Sequence, residues 1–388
     1  MPHPPAAPPP VPATLRQVVV VAESEAAATA RLRAHGFAPE IAAEIAVYLA
    51  QATDLPGHVP DLTAALAAVG IGLRVIDLDA LPGLLPALAV APAATLLWNL
   101  TDGIRFYRGS SVPALARLLD LPRFGAPPAA QHLCQDKFAT LALAATAALP
   151  CPPTRLLEGG TTIAALGGPL GDGPFFVKPN TLGAKLGIFA DSRCATLGEA
   201  ASRAERLWDR YGDRALVQPY LDGDDVRVSF LDTGGLFRAQ LGLYRLAKDK
   251  AGETGGAFMT MRDNETLSGA RDTAGTRGGF GATRPAAFVP RMTNLRDDAA
   301  PDAARAVAAI EAAAERLARL LGLAGIFSMD FRLDAAGDAT FLEFEVCPAV
   351  TIYDFQTYLR EAHGTTLGPA LARAFRVAYA RSFGRGAA

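Results

Sequence analysis

The sequence predicts an α/β fold, and three observations predict it. Residues 17–22, QVVVVA, form a short unbroken β-branched run, the signature of a strand buried on both faces of a parallel sheet. Strand-like and helix-period segments then alternate over residues 16–125, as βαβ units do. With 388 residues, at roughly 100–200 per domain, two or three domains are expected.

Each element follows from local pattern. After the first strand, Ile41, Ile45, Tyr48 and Leu49 recur at helical spacing. Further strands are expected at 72–78 (GLRVIDL) and 95–100 (TLLWNL), and Pro122, Gly125, Pro127 and Pro128 mark a boundary. An alanine-rich helix over 136–148 follows. The apolar strand 174–179 ends in Lys178-Pro179 and runs into a glycine-bearing loop, 180–187. Residues 215–221 (ALVQPYL) read as a strand entering a hinge, and 226–232 with 237–244 as a hairpin. Residues 247–285 are polar, glycine-rich and too long for an ordinary connection, so a lid, a binding loop or a disordered segment is expected there. A helix over 302–321 places Val307, Ile310, Ala314, Leu317 and Leu321 on one stripe, with Gly322 at its end. Strands 326–333 and 340–346 close the pattern across the turn 334–338.

Composition excludes several functions. Lys and Arg number 37 against 39 Asp and Glu, a net charge of −2. There is no global basic surface for a nucleic acid or an anionic membrane. Cys134, Cys151, Cys194 and Cys347 lack metal-site or disulfide-framework spacing. Residues 1–15 are proline-dense and lack the regions of a secretory signal, so they read as a flexible tail. The apolar stretch 84–98 is broken by prolines and too short for a membrane span. A soluble, cytoplasmic protein is expected, with no nucleic-acid or membrane partner.

The densest chemical signal lies in the last two strands. Alternation along 327–332 (FSMDFR) puts Ser328, Asp330 and Arg332 on one side. Alternation along 341–346 (FLEFEV) puts Phe341, Glu343 and Glu345 together. Pairing the strands gathers Asp330, Glu343 and Glu345 beside an arginine. Clustered carboxylates repel unless a cation neutralises them, and hard oxygens suit Mg²⁺ or Mn²⁺. The plainer alternative is a row of solvated charges on an edge strand. Lys178, beside a glycine loop carrying Lys185, fits a phosphate clamp, although an apolar strand ending in lysine is commonplace.

The order of these segments is more specific than any one of them. Lys137, the VKP strand with its glycine loop, the VQPYL hinge followed by Asp225, then Asp330…Glu343-x-Glu345, resembles the ATP-grasp superfamily. Over residues 95–375 the chain looks most like the D-alanine–D-alanine ligase branch of carboxylate–amine ligases. Residues 343–351 (EFEVCPAVT) are similar to that branch's E-x-N-x-x-P-G-x-T.

The resemblance implies an ATP-grasp fold of three subdomains with ATP bound between the central and C-terminal ones. These would be a pre-ATP-grasp α/β domain at 16–125, a central subdomain at 126–213, and a C-terminal subdomain at 214–388 carrying the lid. Lys137 and Lys178 would hold the phosphates. Gln218 and Leu221 would meet the adenine, and Asp225 the ribose hydroxyls. The 181–187 loop would cover the triphosphate, while Asp330, Glu343 and Glu345 would coordinate two Mg²⁺. The substrates would be a small-molecule carboxylate and an amine, joined through an acyl phosphate, and the branch implies a homodimer.

Four departures from the branch stand out. Its paired loop serines are Ala184 and Lys185, and its arginine two positions before the metal aspartate is Ser328, for which Arg332 could substitute. Its asparagine ligand is Glu345. The serine that receives the second substrate's carboxylate aligns with Asp354, which favours a neutral or cationic amine, or else caps locally. Arg105 and Arg108 follow a strand end in the first domain, where either could hold a donor carboxylate or be solvated. Glu23 could orient a substrate amino group or be an exposed acid opening a helix. The expected function is an ADP-forming ligase on specialised substrates. The alternatives are a genuine D-alanine–D-alanine ligase and a non-catalytic ATP-binding module.

Overall fold

The computed structural model describes residues 14–51, 58–90, 92–101, 109–183, 185–234, 240–247, 258, 291–298, 301–348, 359–360 and 363–383. The first stretch of chain forms β1 (Gln17–Ala22), α1 (Glu25–Ala34), α2 (Pro39–Gln51), α3 (Val59–Ala67), β2 (Gly72–Asp77), α4 (Leu81–Val90), β3 (Thr95–Asn99), α5 (Val112–Leu118) and β4 (Arg123–Phe124). Next come α6 (Pro128–Leu133), α7 (Lys137–Thr146), β5 (Thr154–Glu158), β6 (Thr161–Leu166), β7 (Phe175–Pro179), β8 (Arg193–Cys194), α8 (Leu197–Tyr211) and β9 (Ala215–Pro219). The remainder forms β10 (Asp224–Leu231), β11 (Gln240–Ala247), β12 (Arg291–Asn294), α9 (Pro301–Leu321), β13 (Ile326–Leu333), β14 (Ala339–Glu345) and α10 (Leu367–Phe383).

These strands make three sheets. The first, β2-β1-β3-β4, is parallel throughout. The second, β6-β5-β9-β7-β8, and the third, β12-β11-β10-β13-β14, are antiparallel. The valines of β1 explain its run: Val18 and Val20 face one helical layer, Val19 and Val21 the other. A strand covered on both sides has no polar face to show.

Packing crosses the order of the sequence. Leu32, Ile41 and Ile45 of the α1–α2 hairpin bury against Val177, Val217, Leu207 and Tyr211 of the central sheet and α8. Leu371, Ala374 and Phe375 of α10 cover the first sheet, where Trp98, Phe124 and Phe375 meet. Trp98–Phe124 and Phe124–Phe375 are edge-to-face at 5.7 and 4.8 Å. The helix α9 buries Ile310, Ala314 and Leu317 under Val226, Val228, Met329 and Phe331 of the third sheet, and α7 adds Leu141 and Ala144. The stripe read from the sequence is thus the buried one, and Gly322 takes the left-handed φ of +62° that ends the helix.

One expectation fails. Strict alternation along β14 would put Phe341 beside Glu343 and Glu345. Instead, the register with β13 slips between Asp330 and Phe331, where Asp330 pairs with Glu343 but Phe331 with Phe341. The bulge turns Phe341 into the core, edge-on to Phe331 at 5.6 Å, and leaves both glutamates on the opposite face. No helix among the described residues is long and apolar enough to cross a membrane.

Phe375 is fully buried between two aromatic rings. Phe375→Ala should cost about 3–5 kcal/mol in urea unfolding. A loss under about 1 kcal/mol would mean that α10 does not seal the first sheet as described.

Candidate functional site

The candidate site, called the cleft below, lies where the central and third sheets bring Lys178 of one beside Glu343 of the other, and local sequence chemistry positions its side chains. At the start of α7, Asp136 caps the helix by accepting from the Ala139 amide at 2.9 Å. Asn180 accepts from the Phe138 amide at 2.9 Å and donates to Asp136 at 3.1 Å. That lacing fixes Lys137 on the first helical turn, where its Nζ donates to the Leu182 carbonyl at 2.8 Å and stands 3.6 Å from Glu343.

The glycine loop is pinned at both ends. Buried Asp213 accepts from the Thr181 amide at 2.8 Å and hydroxyl at 2.9 Å. Arg203 donates to the Gly187 carbonyl at 2.8 Å. A Cβ at Gly187 would fall 2.7 Å from the Pro179 ring, so the backbone must pass bare against β7. Lys185 holds a left-handed φ of +62°, a backbone state uncommon for a side-chain-bearing residue. Ala184 lies outside the described residues.

Lys178 is buried on the cleft side of β7. Burial lowers its ammonium pKa from the ordinary range; Glu343 opposes that shift and Lys137 adds to it. Gln218 is buried as well, with its amide donating to Thr154 Oγ1 at 2.9 Å. At the hinge, Arg332 donates to the Leu221 carbonyl at 2.9 Å and to Asp225 at 2.7 Å. Arg332 is therefore engaged at the hinge, beside the residues expected to meet the adenine and ribose, and not at Asp330, Glu343 and Glu345. Gly223 allows that hinge to close on β13, since a Cβ there would overlap the Leu333 carbonyl.

Between Asp330 and Glu345 stands a residue that the sequence pattern did not single out. Arg227 of β10 contacts Asp330 at 2.8 and 3.3 Å and Glu345 at 3.0 Å. Period-two alternation from Asp225 would have put it on this face. Asp213 was likewise unmarked, being one acid among many until the loop folds onto it.

The structure thus brings Lys137, Lys178, Glu343, Asp330, Glu345, Gln218, Leu221, Asp225 and Arg332 along one cleft. Glu23 stands apart, ion-paired with Arg31, which also reaches Asp79. Arg105, Arg108 and Asp354 lie outside the described residues, as does the 247–285 loop apart from Ala247 and Phe258. Their flanks meet at a buried polar knot. Asn99 donates to the Thr101 and Gly109 carbonyls, both at 3.1 Å, and the Cys347 thiol donates to the Asn99 carbonyl at 3.4 Å.

The fit of nucleotide and metal can be judged from this geometry. Tyr220 Oη, Ser328 Oγ and Arg332 Nη2 are buried without hydrogen-bond partners among the described residues, as groups awaiting a polar ligand would be. Asp330 and Glu345 are hard oxygen donors already drawn around one cation, the Arg227 guanidinium. Among the described residues, no three acidic, histidine or cysteine side chains are gathered closely enough to hold a metal as they stand. The donor chemistry suits a divalent ion, but the chain's own cations occupy it.

Burial raises the Glu343 pKa, but Lys137, Lys178, Lys185 and Arg227 outweigh it and hold the carboxyl at about 2. A depressed folded pKa contributes stability that is present above the ordinary value of 4.5 and lost as pH falls towards about 2. Lys137→Met should therefore be less stable than wild type in urea at pH 7, with the gap narrowing from about pH 4.5 downwards. A gap independent of pH would remove the Lys137–Glu343 pair from the account.

No family model matches the chain. A D-alanine–D-alanine ligase of Ralstonia nicotianae is 28% identical over 172 residues, 44% of this chain and 49% of that protein. One from Gloeobacter violaceus is 24% identical over 309 residues, 78% of this chain and 86% of that protein. The chain spans about half the length or less of the first three curated relatives it matches, at 44%, 49% and 40%. Among solved structures, the Bacillus anthracis D-alanine–D-alanine ligase complexed with ATP superposes with a TM-score of 0.58 at 13% identity, covering 95% of this chain and 98% of that one. The Coxiella burnetii enzyme gives 0.56 at 14%, covering 96% and 97%. The chain has the ATP-grasp fold of these D-alanine–D-alanine ligases and is similar to them in sequence.

Proposed function

We propose that this protein is an ATP-dependent, ADP-forming carboxylate–amine ligase. The observation that carries the reading is the cleft in which Lys137 and Lys178 face Asp330, Glu343 and Glu345, with a hinge tied by Arg332 at one end. A scaffold without catalysis has little use for buried lysines set against carboxylates, since both are costly to desolvate.

In this reading Lys137, Lys178 and the 181–187 loop with Lys185 hold the triphosphate. Gln218 and Leu221 line the adenine position, and Asp225 accepts from the ribose. Asp330, Glu343 and Glu345 would hold Mg²⁺, which offsets charge on the transferring phosphoryl group. A substrate carboxylate oxygen attacks the γ-phosphorus and ADP leaves, giving an acyl phosphate. The amine nitrogen then attacks the acyl carbon, phosphate departs, and the nitrogen gives up a proton. Arg105 or Arg108 holds the donor carboxylate. Asp354 disfavours an acceptor bound through its own carboxylate, which points to specialised substrates.

Two measurements test this. With Mg-ATP, pooled carboxylates and hydroxylamine, ADP and a hydroxamate should form, and Lys178→Met should reduce the rate at least ~100-fold. ATP binding with neither product across a broad pool would favour a non-catalytic module. Once the donor is known, Asp354→Ser should lose turnover with the true amine. If D-alanine alone yields its dipeptide at full rate, the specialised-substrate reading fails and the activity in the relatives' names stands.

A further inference from the structure

Arg227 has no part in the function outlined above, yet it makes the closest ion contacts at the carboxylate cluster. Its Nε and Nη2 grip both oxygens of Asp330 at 2.8 and 3.3 Å, and Nη2 reaches Glu345 at 3.0 Å. The register explains the grip: Arg227 lies directly across β10–β13 from Asp330, and Asp330 directly across β13–β14 from Glu343. Arg227, Asp330 and Glu343 therefore stand in one row across three neighbouring strands, and Arg227 reaches Glu345, the partner of Ser328, outside that row.

Exposure decides whether that arrangement is permanent. The side chains of Arg227, Asp330 and Glu345 remain 22%, 28% and 28% exposed. The buried Arg332 beside them is 6% exposed and is anchored to a backbone carbonyl too. A half-buried guanidinium of this kind exchanges partners at modest cost, whereas Arg332 is buried and tied to a backbone carbonyl, although its partner Asp225 is also 28% exposed. The guanidinium contacts both oxygens of Asp330 and Oε2 of Glu345, so a divalent ion drawing on both side chains meets it at Asp330 at least.

We propose that Arg227 is the resident counter-ion of Asp330 and Glu345 and competes with a divalent cation for their oxygens, making it a positioning residue that sets the site's metal affinity. Without metal it keeps two like charges from repelling one another. With metal it is released and carries its charge into the cleft. The inference shares with the proposed function the assignment of Asp330 and Glu345 as ligands, and it needs no ligase turnover.

The test is Mn²⁺ binding to the full chain at pH 7 and low salt, without nucleotide, read from the electron paramagnetic resonance signal of free Mn²⁺. Arg227→Gln should bind Mn²⁺ roughly tenfold more tightly than wild type, the scale of one charge-assisted contact removed as competitor. It should also melt lower than wild type without metal, with the difference recovered at saturating Mn²⁺. Arg227→Lys, which keeps the charge but not the two-pronged grip, should fall between, and it carries the comparison if Arg227→Gln does not fold. A purely structural role would lower the melting temperature and leave Mn²⁺ affinity unchanged, which overturns the proposal. So would Mn²⁺ binding that Asp330→Asn fails to weaken. Because neither ATP nor carboxylate is present, failure to form hydroxamates leaves this outcome untouched.

Discussion

The Lys137 ammonium is the contact on which the site depends. It is buried, and a buried cation must be met by donor-hungry groups on every open side. One is the Leu182 carbonyl, which fixes the glycine loop; another is Glu343, which fixes β14. The helix start is held in turn by Asp136 and Asn180, so α7, the loop and the third sheet are registered to one nitrogen atom. Loop, helix and strand come from three parts of the chain, and their relative placement follows from the need to satisfy that charge.

Around this contact the acids are separated by pairing. Asp225 takes Arg332, Asp330 and Glu345 take Arg227, and Glu343 takes Lys137. Each carboxylate thus reaches its position with a partner already present, which lowers the cost of bringing several like charges onto one sheet face. The same pairing divides the cleft. Its hinge end is closed by a buried, multiply bonded arginine, and its carboxylate end by half-buried contacts.

Much of this was legible in the sequence because it rests on short-range pattern. The β1 run, the α9 stripe with Gly322, the VKP strand and the two closing strands all depend on period and punctuation, which survive in one dimension. The cleft residues were legible through their order along the chain. What failed depended on distance. The bulge opposite Asp330 breaks strict alternation, and only the pairing of β13 with β14 reveals it. The importance of Arg227 and Asp213 came from partners about 100 and 30 residues away, separations of 103 and 32 in fact, which no local window contains. Helix α8 went unread, although Thr196 and Gly212 stand where its cap and its left-handed stop fall.

The placement of α10 has a consequence for how the chain reaches its fold. Leu367–Phe383 supplies Leu371 and Phe375 to the core of a sheet whose strands lie within the first 124 residues. During synthesis that sheet stands with one apolar face covered only in part, by Leu62 and Leu66 of α3, until more than two hundred further residues have emerged. The first sheet is thus first in sequence but among the last to be completed, and the helix that completes it also packs with Leu231 and Ile326 of the third sheet.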